Sequence, residues 1–206
     1  MTVVAAFDLD GTITARDCVV PFLRRVAGER RLVTTTASGV ARSPSSITSR
    51  DRLKAIAARS LAGADLDVVQ AIGQRFADEV VSDWVRRDTL DQLDQHRTAG
   101  HRIVIVSASF AIYAEAIGER LGVDAVLATE LAHVDGVLTG GLNGPNCRGA
   151  AKVDRLEGWF AGVGLERAGV RLHAYGDSSG DRELLAHADV AMLVPPFRRG
   201  RRASPG

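Results

Sequence analysis

Four short apolar runs constrain this 206-residue chain more than any other feature. Residues 3–8 read VVAAFD: five apolar side chains in succession, then an acid. A run of that kind has no polar face to offer water. It suits a strand buried on both sides, as in a parallel sheet covered by helices. Residues 102–107 (RIVIVS), 170–177 (VRLHAYGD) and 190–194 (VAMLV) have the same form. Helical patterns lie between them; in residues 110–121, Ile112, Ala116, Ile117 and Leu121 share one helix face. Strands alternating with helices predict an α/β fold, with a Rossmann-like parallel-sheet core and helices on both faces. A hairpin interrupts the pattern at residues 131–140 (LAHVDGVLTG), where Asp135-Gly136 is a turn dipeptide between two strand-like runs.

Residues 16–87 differ, because no buried-strand run occurs in them. Leu66, Val69, Ile72, Phe76 and Val80 recur three or four apart and outline an amphipathic helix; Leu53, Ile56, Ala57 and Leu61 outline a second. Residues 38–49 (SGVARSPSSITS) read as a polar connector ahead of it. The expected organisation is therefore a core from residues 1–15 and 88–197, an all-helical insertion over 16–87, and a flexible basic tail over 198–206.

Charge and composition exclude several classes. The chain carries 26 basic against 25 acidic side chains, without the positive excess of a dedicated nucleic-acid binder. No apolar run approaches the roughly 18 to 20 residues of a spanning helix, so no integral membrane segment is expected. Asp8 and Asp10 arrive too early for a secretory signal. Two cysteines, Cys18 and Cys147, cannot build a disulfide framework or a four-cysteine metal site. A cytoplasmic protein is expected. The balance hides a division: residues 16–87 hold 13 basic and 8 acidic side chains, the remainder 13 and 17. Solvated helix faces account for this; so does a positive lid over an anionic substrate, or attraction to anionic lipid.

The acids lie at the strand ends. Asp8 and Asp10, two apart in FDLDGT (residues 7–12), point to the same side of an extended chain. In open α/β sheets that side of the strand end faces the ligand crevice. Gly11 permits close approach, and its amide with that of Thr12 can cradle an anion. Adjacent carboxylates repel, which implies a cation between them or a proton on one. A second acidic cluster, GDSSGD (residues 176–181), places Asp177 at a strand end and Asp181 at a helix start. An oxygen-only set of Asp8, Asp10 and Asp177 suits a hard ion such as magnesium, whereas the five histidines show no metal-ligand spacing. Ser107 and Ala108 follow the second apolar run, where the hydroxyl can contact phosphate or cap a helix. Lys152 stands out on composition: 24 of the 26 basic residues are arginines, and only Lys54 and Lys152 are lysines. A compact ammonium can bridge a carboxylate and a phosphate oxygen where a planar guanidinium does not fit.

In this order FDLDGT, VSAS (residues 106–109), Lys152 and GDSSGD resemble the four motifs of the haloacid dehalogenase superfamily, in particular its phosphoserine-phosphatase-like branch. The resemblance spans nearly the whole chain, and residues 16–87 look like that branch's cap. It implies a magnesium-dependent phosphatase acting on a small phosphorylated metabolite through an aspartyl phosphate. Asp8 would be the nucleophile and Asp10 the general acid and base. Mg2+ would be held by Asp8, the Asp10 backbone carbonyl and Asp177, with Asp181 in support. Gly11, Thr12, Ser107, Ala108 and Lys152 would hold the phosphoryl group. Substrate choice would fall to Asp17, Arg52, Lys54, Arg59 and Gly180. Asp17 stands where the phosphoserine enzymes carry a glutamate, and Gly180 where they carry an asparagine, so other amino-alcohol phosphates and phospholipid head groups stay open as substrates. Transfer of the phosphoryl group to another alcohol also stays open. So does a non-enzymatic phospho-acceptor domain like the response-regulator receivers, although those place their acid pair adjacent.

Overall fold

The computed structural model describes residues 1–41 and 50–197; the side chains of residues 41 and 50–52 fall outside that description. Among the described residues seven strands and eight α-helices follow one another as β1 (Thr2–Phe7), α1 (Val19–Ala27), α2 (Glu29–Ala41), α3 (Arg50–Ala58), α4 (Leu66–Asp83), α5 (Arg87–Thr98), β2 (Arg102–Phe110), α6 (Ala111–Leu121), β3 (Ala125–Thr129), β4 (Leu131–Val134), β5 (Val137–Leu142), α7 (Ala150–Gly162), β6 (Val170–Gly176), α8 (Arg182–His187) and β7 (Val190–Leu193).

All the apolar runs become strands of one parallel sheet, ordered β3-β2-β1-β6-β7, although β7, expected to be buried on both sides, is an edge strand and mostly exposed. The central β1 pairs with β2 from Val4↔Arg102 to Phe7↔Ile105, and with β6 from Thr2↔Val170 to Phe7↔Tyr175. Successive strands step outward from β1 through β2 to β3, then the chain returns to β1's other side. That reversal opens a crevice beyond the carboxyl ends of β1 and β6, where Asp8 and Asp177 follow their strands.

Strand alternation divides the interior. Val4, Ala6, Val104 and Val106 face one side, packed with Leu156 and Phe160 of α7 and Leu184 of α8. Ala5, Phe7, Ile103 and Ile105 face the other, and that core continues without interruption into the helices between β1 and β2. Phe22 of α1 and Phe76 of α4 both meet Tyr113 of α6, at ring-centroid distances of 4.7 and 5.3 Å. The helical insertion shares a core with one face of the sheet. Its entry and exit run side by side, Ala15 N donating to Trp84 O (2.8 Å) and Arg86 N to Ile13 O (2.9 Å). No helix among the described residues is long and apolar enough to cross a membrane.

Local details depart from the sequence pattern. Residues 38–41 are the last turn of α2 rather than connector, because Gly39 receives the Ile56 side chain of α3; a Cβ there would lie 2.4 Å from Ile56 Cγ2. This packing outweighs the weak helix propensity of Ser, Gly and Val. The rest of the expected connector, the Arg52 side chain and the basic tail lie outside the described residues. β2 continues past Ser107 to Phe110 with a register shift after Val106, so α6 starts at Ala111 and Ser107 does not cap it. Leu53, expected on a buried helix face with Ile56 and Leu61, is exposed. β3 is an additional strand that the sequence pattern does not single out. The hairpin forms as β4 and β5, with Asp135 and Gly136 both at positive φ (49° and 76°), the conformation such a turn requires.

α4 lies against α6 through Gly73, where a Cβ would sit 2.5 Å from the Ile112 carbonyl oxygen. In an exposed helix Gly→Ala gains up to about 1 kcal/mol. Here Gly73→Ala is expected to destabilise by about 1 to 3 kcal/mol through overpacking against backbone, read as a lower urea midpoint at unchanged slope.

Candidate active site

β1 positions the first acids. Its pairing extends one residue beyond the strand, Asp8 N donating to Tyr175 O at 2.9 Å. Leu9 points into the core and is fully buried, so Asp8 and Asp10 turn together toward the crevice. The chain then reverses at Gly11 with φ +86°, and Ile13 N and Thr14 N both donate to Leu9 O at 2.9 Å. A Cβ on Gly11 would lie 2.2 Å from Asp177 Oδ2. Only glycine brings the two loops this close.

The third element is α7. Gly149 at φ +62° precedes it and donates its amide to Gly180 O at 2.9 Å, docking the helix start on the GDSSGD loop. Lys152, in the first turn, is 1% exposed. Its Nζ donates to Asp8 Oδ1 and to Asp181 Oδ1, both at 2.6 Å. Asp181 Oδ2 accepts from Ser178 N (3.0 Å) and Ser178 Oγ (2.9 Å), so both its oxygens are engaged. Burial, with Asp181 and Asp10 adding to it, pushes the Asp8 carboxyl up to about 7 against the opposing pull of Lys152. Burial disfavours the Lys152 ammonium, but Asp8 and Asp181 hold its pKa above the ordinary lysine value. Three acids, Asp8, Asp177 and Asp181, therefore gather about one ammonium, an excess of negative charge that calls for a further cation.

Asp10 is held apart from that group. Its Oδ1 accepts from Cys18 N at 2.9 Å and its Oδ2 from Ser109 Oγ at 2.5 Å; Tyr113 OH donates to Ser109 Oγ at 2.9 Å. Burial, followed by the charge of Asp17, raises the Asp10 carboxyl to about 6. A carboxyl near neutrality beside a nucleophile candidate can give and take a proton at physiological pH.

Asp8, Asp177 and Asp181 each offer an oxygen, all within 4.8 Å of one another. Three hard donors and the Gly11 approach that admits Asp177 fit a magnesium-sized ion. Asp8, Asp10, Gly11, Ser107, Ala108 and Lys152 line one cavity of about 1030 Å3 with Asp177, Gly180 and Asp181; Asp17 and Lys54 reach it from the insertion. Two expected residues do not line it. Thr12 is fully buried, its carbonyl accepting from Thr89 Oγ1 at 2.7 Å. Arg59 is exposed and packs at the hairpin, with its Cα facing Gly140. Lys54 Nζ donates to Asn146 Oδ1 (2.8 Å) and Thr129 Oγ1 (3.1 Å). Gly180 makes room for Arg148, whose Nε would lie 2.8 Å from a Cβ there. Three histidines, His96, His101 and His173, do meet in space. His96 Nδ1 and Nε2 are occupied by His101 Nδ1 and Tyr175 OH, both at 2.8 Å, which leaves His96 no lone pair for a metal.

Ser109, Tyr113 and Arg86 are site residues that sequence reasoning passes over. Ser109 stood inside the quoted VSAS motif, and only its contact with Asp10, 99 residues away, reveals its part. Arg86 is 3% exposed and donates to Gly11 O (2.8 Å) and Pro195 O (2.9 Å), with a paired contact to Asp88. It secures the Gly11 turn from behind. Arg86→Met is expected to leave those two carbonyls unpaired and cost about 2 to 3 kcal/mol, measured by urea unfolding.

A family model described as haloacid dehalogenase-like hydrolase matches residues 5–186. The chain is 37% identical over 193 residues to Protein CicA of Caulobacter vibrioides, covering 89% of this chain and 82% of CicA. It is 26% identical over 211 residues to phosphoserine phosphatase SerB1 of Mycobacterium tuberculosis, covering 98% of this chain and 67% of that protein. A solved structure of a phospho-aspartyl intermediate analogue of phosphoserine phosphatase superposes with a TM-score of 0.64 at 20% identity, covering 93% of this chain and 86% of that one. With its sheet order, its strand-end acids and these likenesses in agreement, the chain belongs to the haloacid dehalogenase-like hydrolases and has the fold of the phosphoserine phosphatases.

Proposed function

We propose that this hydrolase is a magnesium-dependent phosphatase of a small phosphorylated metabolite, working in the cytoplasm through an aspartyl phosphate on Asp8. The observation that carries the reading is the buried ammonium of Lys152 at 2.6 Å from Asp8 and from Asp181, in the cavity that also holds Asp10 and Ser107. The relatives support it: SerB1 is named a phosphoserine phosphatase.

Asp8 attacks phosphorus, and the alcohol leaves with a proton from Asp10. Asp10 then takes a proton from the water that opens the aspartyl phosphate, so that the difficult hydrolysis is divided into two steps. Ser109 and the Cys18 amide hold the Asp10 carboxyl in place for both transfers. Lys152, the Ser107 hydroxyl and the amides near Gly11 and Ala108 bind the phosphoryl oxygens. Asp8, the Asp10 carbonyl and Asp177 would hold Mg2+, with Asp181 restraining Lys152 from behind. When bound, the ion neutralises charge on the phosphoryl oxygens. Residues 16–87 act as a cap over the core of 1–15 and 88–197, with Asp17 and Lys54 at the boundary where the leaving group is recognised.

Release of inorganic phosphate from p-nitrophenyl phosphate is expected with magnesium and is expected to be lost on its chelation. Asp8→Asn should lower turnover by at least about 1000-fold. Retention of full activity in that variant would overturn the reading. Lys152→Arg keeps the charge, but the guanidinium is too wide for two 2.6 Å contacts in a closed pocket. A loss of roughly 100-fold in kcat is expected, with circular dichroism confirming that the variant folds.

A further inference from the structure

The cavity above the acids is far larger and far more apolar than a phosphoryl site needs. Its volume of about 1030 Å3 stands at the upper end for sites that enclose molecules of drug size. One end is Asp8, Lys152 and Asp177. From there the walls are Val19 and Leu23 of α1, Leu32 and Val33 of α2, and Leu53 and Ala57 of α3. All six are aliphatic. Among the described residues the insertion presents no aromatic side chain to the cavity; the one aromatic that lines it, Phe197, comes from the segment after β7, so α1, α2 and α3 offer no platform for stacking a nucleoside or aryl ring.

Burial sharpens the point. Leu23 and Leu32 are buried and form the floor, whereas Val33 and Leu53 are 57% and 41% exposed while lining the same space. Exposed aliphatic side chains converging on one concavity mark a surface that something apolar covers. Continuity with the phosphoryl site says what covers it. A ligand anchored by phosphate at Lys152 has its alcohol part directed along these walls.

Resting on the phosphatase reading, we propose that the substrate is a phosphomonoester of an aliphatic alcohol, whose hydrocarbon chain lies along α1, α2 and α3. The reaction consumes one water: the bond from phosphorus to the alkoxy oxygen breaks, the alcohol departs with a proton, and phosphate keeps the water's oxygen. Specificity comes chiefly from burying methylenes against Leu32, Val33 and Leu53, with Asp17 and Lys54 meeting only the part of the leaving group next to phosphate.

The test is kcat/KM for methyl, butyl, hexyl and octyl phosphate below their micellar concentrations, with phosphoserine alongside. An increase of about three- to fourfold per methylene is expected until the chain fills the cavity, and octyl phosphate should exceed phosphoserine. In Val33→Asp and Leu53→Asp, where the altered side chains are solvent-accessible and folding is spared, the octyl-to-methyl ratio should fall by tenfold or more. Turnover of methyl phosphate with a flat or falling series, or a preference for phosphoserine, would overturn the proposal and leave the phosphatase reading standing. Absence of turnover on every substrate would overturn that reading instead. Binding of the matching alkylphosphonates by calorimetry then decides the aliphatic site alone: affinity that rises with chain length supports it, and constant affinity refutes it.

Discussion

One ammonium group holds the site together. Lys152 Nζ joins Asp8, which follows β1, to Asp181, in the loop that follows β6, and does so from the first turn of α7. Three segments far apart in sequence are thereby set to within a few ångströms of one another. Such an arrangement is a weak source of stability, since burying an ion pair costs about as much as the pair returns. Three acids against one lysine make it weaker still. Its place in a closed pocket fits the proposed chemistry, in which the acids would receive a cation and the ammonium a phosphoryl oxygen.

The remaining structure serves that convergence through backbone shape. Gly11 lets the first loop lie against Asp177, and Gly176 accommodates the Asp181 side chain, where a Cβ would sit 2.4 Å from Asp181 Cβ. Arg86 secures the Gly11 turn from below. The insertion is not a separate body resting on the sheet: Phe22, Phe76 and Tyr113 belong to one core with Phe7 and Ile105. Side chains that shape the cavity roof thus rest on residues that support the strand ends.

Much of this was legible in the sequence, and the limits have physical reasons. Buried parallel strands have no polar face, so β1, β2 and β6 announce themselves; the edge strand β7 is apolar but mostly exposed, and β3, with half-buried Ala125, Val126 and Leu127, does not stand out. The α4 pattern is clear because its buried stripe is long. The end of α2 is hidden because the Gly39–Ile56 contact that supports it is tertiary. Asp8, Asp10, Ser107, Lys152, Asp177 and Asp181 could be named because each sits in a compact motif or a compositional anomaly. Ser109, Tyr113 and Arg86 could not, because their importance lies in partners elsewhere in the chain. The placement of Arg59 at the hairpin, away from the cavity, likewise depends on a contact with Gly140 that no local pattern encodes.

The sheet order has a consequence for how the chain is made. β1 is synthesised early yet lies in the middle, flanked by β2 and β6, with Thr2 opposite Val170. Until residues 170–176 leave the ribosome, one edge of an almost wholly apolar strand has no partner. Pairings this distant are slow to form and leave sticky edges open meanwhile. Folding of the nascent chain would then wait on β6, and the time between the emergence of β2 and β6 is when a chaperone would have most to protect.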